Sequence, residues 1–125
     1  MEQVWELVKA HEAQAVAWRR HLHSHPELSF EEFETADFVA ERLEAMGFAV
    51  RRGVGGTGVL GTLETGRPGP VIAFRADMDA LPVQEQTGLP FASVRSGVMH
   101  ACGHDIHTSV LLGTAAVLAA LRERL

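Results

Sequence analysis

Apolar residues recur every three or four positions over the first part of the chain. Val4, Leu7, Val8, His11, Ala15, Trp18 and Leu22 share one face, while Glu2, Glu6, Glu12 and Arg19 fall elsewhere. That period predicts an amphipathic helix over residues 3–24. Acidic residues near its start and Arg19 and Arg20 near its end suit the helix dipole. Pro26 biases His25 away from helical angles, so the helix should stop near Ser24. A second helix is expected to about Met46, opened by a capping box of Ser29 and Glu32. Phe33, Ala36, Ala40 and Leu43, with Phe30, form its apolar stripe, and Gly47 ends it.

The period then shortens. Residues 48–54 and 58–64 read as two strands joined through Gly55, Gly56 and Thr57 as a hairpin. Val71 to Ala76 is a continuous apolar run, the pattern of a central strand covered on both faces. Residues 77–102 show no regular period and contain Pro82, Gly88, Pro90 and Gly97, a length more typical of a functional loop than of a connector. A last helix is expected from Asp105, read as its N-cap, to Leu125. The fold class is therefore α/β: two N-terminal helices, a three-strand part of a mixed sheet, then a long helix. A strand followed by a helix normally feeds another parallel strand. The chain is thus expected to be an N-terminal piece of a larger domain, with an unpaired sheet edge that favours self-association.

Composition narrows the partners. Hydrophobic residues make up 46% and charged residues 22% of 125 residues, as in an ordinary globular domain. The net charge of -5, with no basic run beyond Arg19-Arg20 and Arg51-Arg52, argues against nucleic acid. The N-terminus lacks a signal-peptide pattern, and the apolar stretch 110–121 is too short to span a bilayer. Cys102 is the single cysteine, so no internal disulfide can form and a cytoplasmic setting is expected.

Chemistry concentrates between His100 and His107, where three of the seven histidines and the only cysteine fall within eight residues. In an extended loop, side chains two apart point the same way, so Cys102 and His104 can converge. A thiolate with an imidazole suits zinc or a similar cation better than magnesium or calcium. A Cys–His nucleophile pair is the competing option, less suited to residues two apart in one loop. Asp77 and Asp79 follow the apolar run at its C-terminal end, where open α/β sheets carry ligand-binding groups. A carboxylate there can accept the ring N–H of a ligating histidine, although on its own the pair reads as the start of a solvated loop. His21, His23 and His25 look like a metal-binding tract, yet histidines at a helix end also satisfy terminal carbonyls.

Four motifs occur together in order: RHLHSHPELS (20–29), FRADMDALP (74–82), QTGLPFA (86–92) and MHACGHD (99–105). In these the chain resembles the aminoacylase branch of the di-metal metallopeptidases, which includes hippurate hydrolases and auxin-conjugate hydrolases. The resemblance covers nearly the whole chain. It implies an incomplete three-layer α/β catalytic domain of zinc-peptidase type, with residues 1–125 its N-terminal part. Cys102 and His104 match the branch's first two metal ligands, and Asp79 matches an acidic active-site residue that orients a ligand. Asp77 lies where other branches place a metal-binding histidine, and His100 and Asp105 would line the site. The catalytic glutamate, the remaining ligands and a dimerisation domain would lie beyond Leu125. The implied activity is hydrolysis of N-acyl amino acids with two divalent ions (zinc, manganese, cobalt or nickel) per complete site, in a homo-oligomer. The alternative is a non-catalytic binding or assembly module that keeps a partial metal site.

Overall fold

A computed structural model describes all residues 1–125. Its elements are α1 (Glu2–Ser24), α2 (Phe33–Ala45), β1 (Ala49–Val54), β2 (Gly58–Thr62) and α3 (His104–Ala120), followed by a 3-10 turn over Arg122–Arg124. α1 packs mainly on α3, and α2 packs on the hairpin. Leu22 of α1, Phe38 and Val39 of α2 and Leu112 of α3 form the buried centre, with Trp18, Leu43, Met46, Val59 and Met78 packed around it. Burying a side chain such as Leu112 contributes roughly 1.5–3 kcal/mol, so this small cluster is the main apolar term holding the three helices together. The α1 stripe follows the expected period, although it is deeply buried only at its C-terminal end, at Leu22 and His23.

β1 and β2 pair antiparallel, with Ala49 opposite Thr62 and Arg51 opposite Leu60, and an irregularity between Arg51 and Val54. A Cβ at Gly61 would press on the end of the Leu43 side chain, 3.0 Å from Cδ1. Only this two-stranded sheet forms. The expected third strand, residues 71–76, has no ladder, and Val71 is 97% and Ile72 73% exposed. The apolar run has the composition of a covered strand, yet none of the 125 residues supplies a neighbour that would pair with it or cover it.

Two local expectations fail at helix starts. Ser29 and Glu32 form no capping box: α2 begins at Phe33, and no side chain at its N-cap bonds to the backbone. Glu27 does that work instead, accepting from the amides of Glu34 at 3.1 Å and Thr35 at 2.6 Å and from the Thr35 hydroxyl at 2.6 Å. A buried carboxylate at these free N–H groups satisfies them and suits the helix dipole. Glu32 instead accepts from Thr57 at 2.6 Å, tying the helix to the hairpin turn. This rotates the buried face of α2 toward Thr35, Phe38, Val39 and Ala40, leaving Phe30 and Phe33 exposed.

Asp105 is likewise not the N-cap of α3. Gly103 holds that position at φ 87°, a left-handed conformation, and its carbonyl accepts from Ile106 and His107. The same helix ends at Ala120, and the chain closes as a 3-10 turn. No helix is long and apolar enough to cross a membrane.

Candidate metal centre

The loop between the hairpin and α3 is irregular but pinned. Ala80 pairs in a parallel bridge with Leu28, and Leu81 pairs in an antiparallel bridge with Met99. The Ala80 amide donates to the Glu27 carbonyl at 2.7 Å, and the Thr108 hydroxyl donates to the Asp77 carbonyl at 3.0 Å. These ties bring Asp79 from the loop beside His104 at the first turn of α3.

His104 Nδ1 donates to Asp79 Oδ1 at 2.8 Å and faces the Asp79 carbonyl at 3.0 Å. Asp79 Oδ2 accepts the Ser29 hydroxyl at 2.5 Å. The Ser29 hydroxyl and then the His104 ring hold the Asp79 carboxyl below the usual carboxylate range, against an opposing push from burial. With the proton on Nδ1, the lone pair of His104 sits on Nε2, as an orienting carboxylate requires of a ligating imidazole.

Cys102 is exposed, and its thiol is free. The turn joining it to His104 is not extended: Gly103 is left-handed and His104 already belongs to α3. Alternation of side chains along a strand therefore does not describe this turn. A side chain at position 103 would cost about 1–2 kcal/mol in that conformation, which accounts for a glycine between the two donors. No group of three or more His, Cys, Asp or Glu side chains stands close enough to hold a metal ion. The donors fit a borderline-soft dication in kind, but not in number.

Asp77 pairs with Arg75 at 2.6 Å on the surface. His107 is exposed, its ring centroid 5.5 Å from that of His104. His100 is 5% exposed, with no partner for either ring nitrogen. Burial pushes its pKa down, against the pull of Asp105.

Sequence reasoning missed a second cluster behind this turn. The Asp105 carboxylate accepts from His23 Nδ1 at 2.7 Å and from Arg19 Nε at 2.9 Å, while His23 Nε2 contacts Glu85 Oε1 at 2.9 Å. Glu85 also accepts from the Ser93 amide at 3.0 Å and from the Thr87 hydroxyl. Burial alone would raise its carboxyl, but Thr87, Ser93 and His23 together hold it below the usual range. Of the three histidines at the end of α1, His25 does meet a terminal carbonyl, donating to His21 at 2.9 Å. His23 does not. The only signal for it was its place in the alternating tract, because its partners lie 62 and 82 residues away.

Residues 73–125 match the model of peptidase family M20/M25/M40. An N-acyl-L-amino acid amidohydrolase of Geobacillus stearothermophilus is 51% identical over 98% of the chain, which spans 33% of that relative. An N-acetyl-L-cysteine deacetylase of Bacillus subtilis is 52% identical over 86% of the chain and 26% of the relative. The solved structure of the Bacillus subtilis YXEP protein, a dinuclear metal-binding peptidase of the M20 family, superposes with a TM-score of 0.85 at 49% identity. It is matched over 91% of this chain and 32% of its own. The chain thus spans about a third of the length of the relatives it matches.

Proposed function

We propose, from the match of residues 73–125 to the model of peptidase family M20/M25/M40, that the chain is part of a metal-dependent amidohydrolase of that family. The substrates are N-acyl amino acids or similar small conjugates, cleaved at the amide bond to a carboxylic acid and a free amino acid. In this reading residues 1–125 are the N-terminal part of the metal-binding catalytic domain. The base, the remaining ligands and the oligomerising domain are supplied by sequence outside these residues. A cytoplasmic setting keeps the single thiol reduced.

The observation that carries the reading is the pairing of Asp79 with His104 one residue beyond the Cys102–Gly103 turn. Cys102 and His104 Nε2 would hold a divalent ion, as two donors of a larger set. Bound ions, two per complete site, would acidify a water and polarise the amide carbonyl. Asp79 fixes the His104 tautomer and raises the ring's basicity, and Ser29 holds the carboxylate in place for that task. Asp77, His100 and Asp105 flank the turn and line the site. Zinc, cobalt or nickel suit a thiolate–imidazole pair, and manganese would depend more on the oxygen ligands of the complete site.

The test is Cys102→Ser in the full gene product, read by metal content and by hydrolysis of N-acyl amino acids. Loss of a direct ligand should exceed the 10- to 100-fold cost of losing an outer partner, so activity should fall by more than about 100-fold. Unchanged metal content and turnover would overturn the reading. The alternative of a non-catalytic assembly module is favoured by one observation, the absence of any group of three or more donors within the 125 residues. A full gene product without hydrolysis would select it.

A further inference from the structure

His23 is buried, with one carboxylate on each ring nitrogen: Asp105 Oδ2 at 2.7 Å on Nδ1 and Glu85 Oε1 at 2.9 Å on Nε2. Both ring nitrogens are thereby occupied by protein groups, with Arg19 Nη2 also 3.5 Å from Nδ1. Such a ring has no nitrogen to offer a metal. The ring and its two partners come from three separate parts of the fold: α1, the loop 81–99, and the first turn of α3. Arg19 closes the set, its Nε donating to Asp105 Oδ2 at 2.9 Å. Phe91 covers the group, edge-on to His23 at 5.6 Å and beneath the Arg19 and Arg20 guanidiniums at 5.2 and 5.0 Å.

The two ends of the cluster differ. Around Glu85 each carboxylate oxygen has a partner. On the other side, Asp105 Oδ1 and both His100 nitrogens are buried without one. The fully satisfied half is a rigid anchor, and the half beside Cys102 and His104 carries the unused polar capacity. Fully satisfied buried polar networks rigidify the elements they join.

We infer that His23 is a positioning residue for the metal-binding turn, holding Asp105 and with it the helical turn that aims His104. The inference rests on the proposed hydrolase reading only for its link to the metal; the effect on His104 itself does not need an ion. His23→Gln keeps a polar side chain of related length but cannot meet Asp105 and Glu85 at once. Three readouts separate positioning from plain stabilisation. Urea unfolding gives the folded fraction. Nitrogen-15 spectra of the imidazoles give the His104 tautomer in the metal-free protein. Cobalt titration, followed by the cobalt–thiolate absorption band, gives affinity.

In folded His23→Gln the Nδ1–H form of His104 should give way to a mixture of tautomers, and cobalt affinity should fall about 10- to 100-fold. A folded variant with a wild-type His104 spectrum and cobalt affinity within twofold would overturn the inference. Should His23→Gln fail to fold, Glu85→Gln removes the charge at the far end at constant shape. It should weaken cobalt binding about threefold, a fraction of the outer-partner cost, and unchanged binding would sink the idea. A wild-type full gene product with no cobalt–thiolate band would refute the proposed metal site instead, and the His104 spectrum would still decide the role of His23.

Discussion

The end of α1 and the start of α3 each present a histidine to an aspartate, and they use the pair for opposite purposes. His23 Nδ1 meets Asp105 at 2.7 Å, and His104 Nδ1 meets Asp79 at 2.8 Å. The difference lies at the other nitrogen. His23 Nε2 is taken by Glu85, whereas His104 Nε2 has no protein acceptor, and the His104 side chain is 17% exposed against 3% for His23. A histidine–aspartate pair is therefore no signature of a metal site by itself. What decides is whether the ring keeps a lone pair that a ligand can reach.

The largest effect that would sharpen this contrast is expected at the closed end. Asp105→Ala leaves Arg19 and His23 facing a buried gap, and removing one partner of a buried ion pair costs about 3–5 kcal/mol. Urea unfolding measures it. A loss below about 1 kcal/mol, the range of exposed pairs, would mean that the two ends are equivalent.

At the open end the order of effects should reverse. The Asp79 side chain is 26% exposed, so Asp79→Asn should cost only about 1 kcal/mol of stability. Its main effect is expected at the proposed metal site: losing the carboxylate that orients His104 should weaken zinc or cobalt binding about 10- to 100-fold. Competition titration beside the same urea series checks both numbers. A variant that loses stability and keeps metal affinity would break the comparison.

How much of this the sequence disclosed depends on how local each feature is. The three helices and the hairpin follow from period and glycine placement, because each is decided within a few residues. Cys102, His104 and Asp79 stand in short motifs, and the Asp79–His104 hydrogen bond is the kind of contact those motifs suggest. Helix starts were misread because Ser29 and Asp105 have the side chains of caps, yet each is claimed by a distant partner, Ser29 by Asp79 and Asp105 by Arg19 and His23. The Glu27 cap on α2 and the His23 cluster join residues that only the tertiary fold brings together. Residues 71–76 show the opposite failure: the local pattern is a strand, but a strand needs a neighbour, and Phe74 stays exposed without one. Pattern reports what a segment can do, and packing decides which partner it meets.

The smallest expected effect is an acid response in two stages, set by the lowered pKa of His100 and by those of Asp79 and Glu85. His100, between Cys102 and the pinned Leu81–Met99 bridge, faces Asp105, His23, His104 and Asp79, and burial lowers its pKa from the ordinary 6.5. The unfolded chain then takes this proton first, so stability should begin to fall as pH drops below 6.5 and level off once the folded protein is protonated too. Asp79 and Glu85 are depressed from 3.8 and 4.5, so the stability they contribute is fully present above those values and is lost as pH falls through their folded pKa values. The urea midpoint followed across the acid range should therefore fall in two stages. His100→Asn, which cannot titrate, should shrink the upper stage, to which His21, its pKa also lowered by burial, contributes, and leave the lower one in place. A single stage below 4.5 in the unaltered protein would show that His100 shares its proton with a partner, and the turn at His104 would then be as closed as the end of α1.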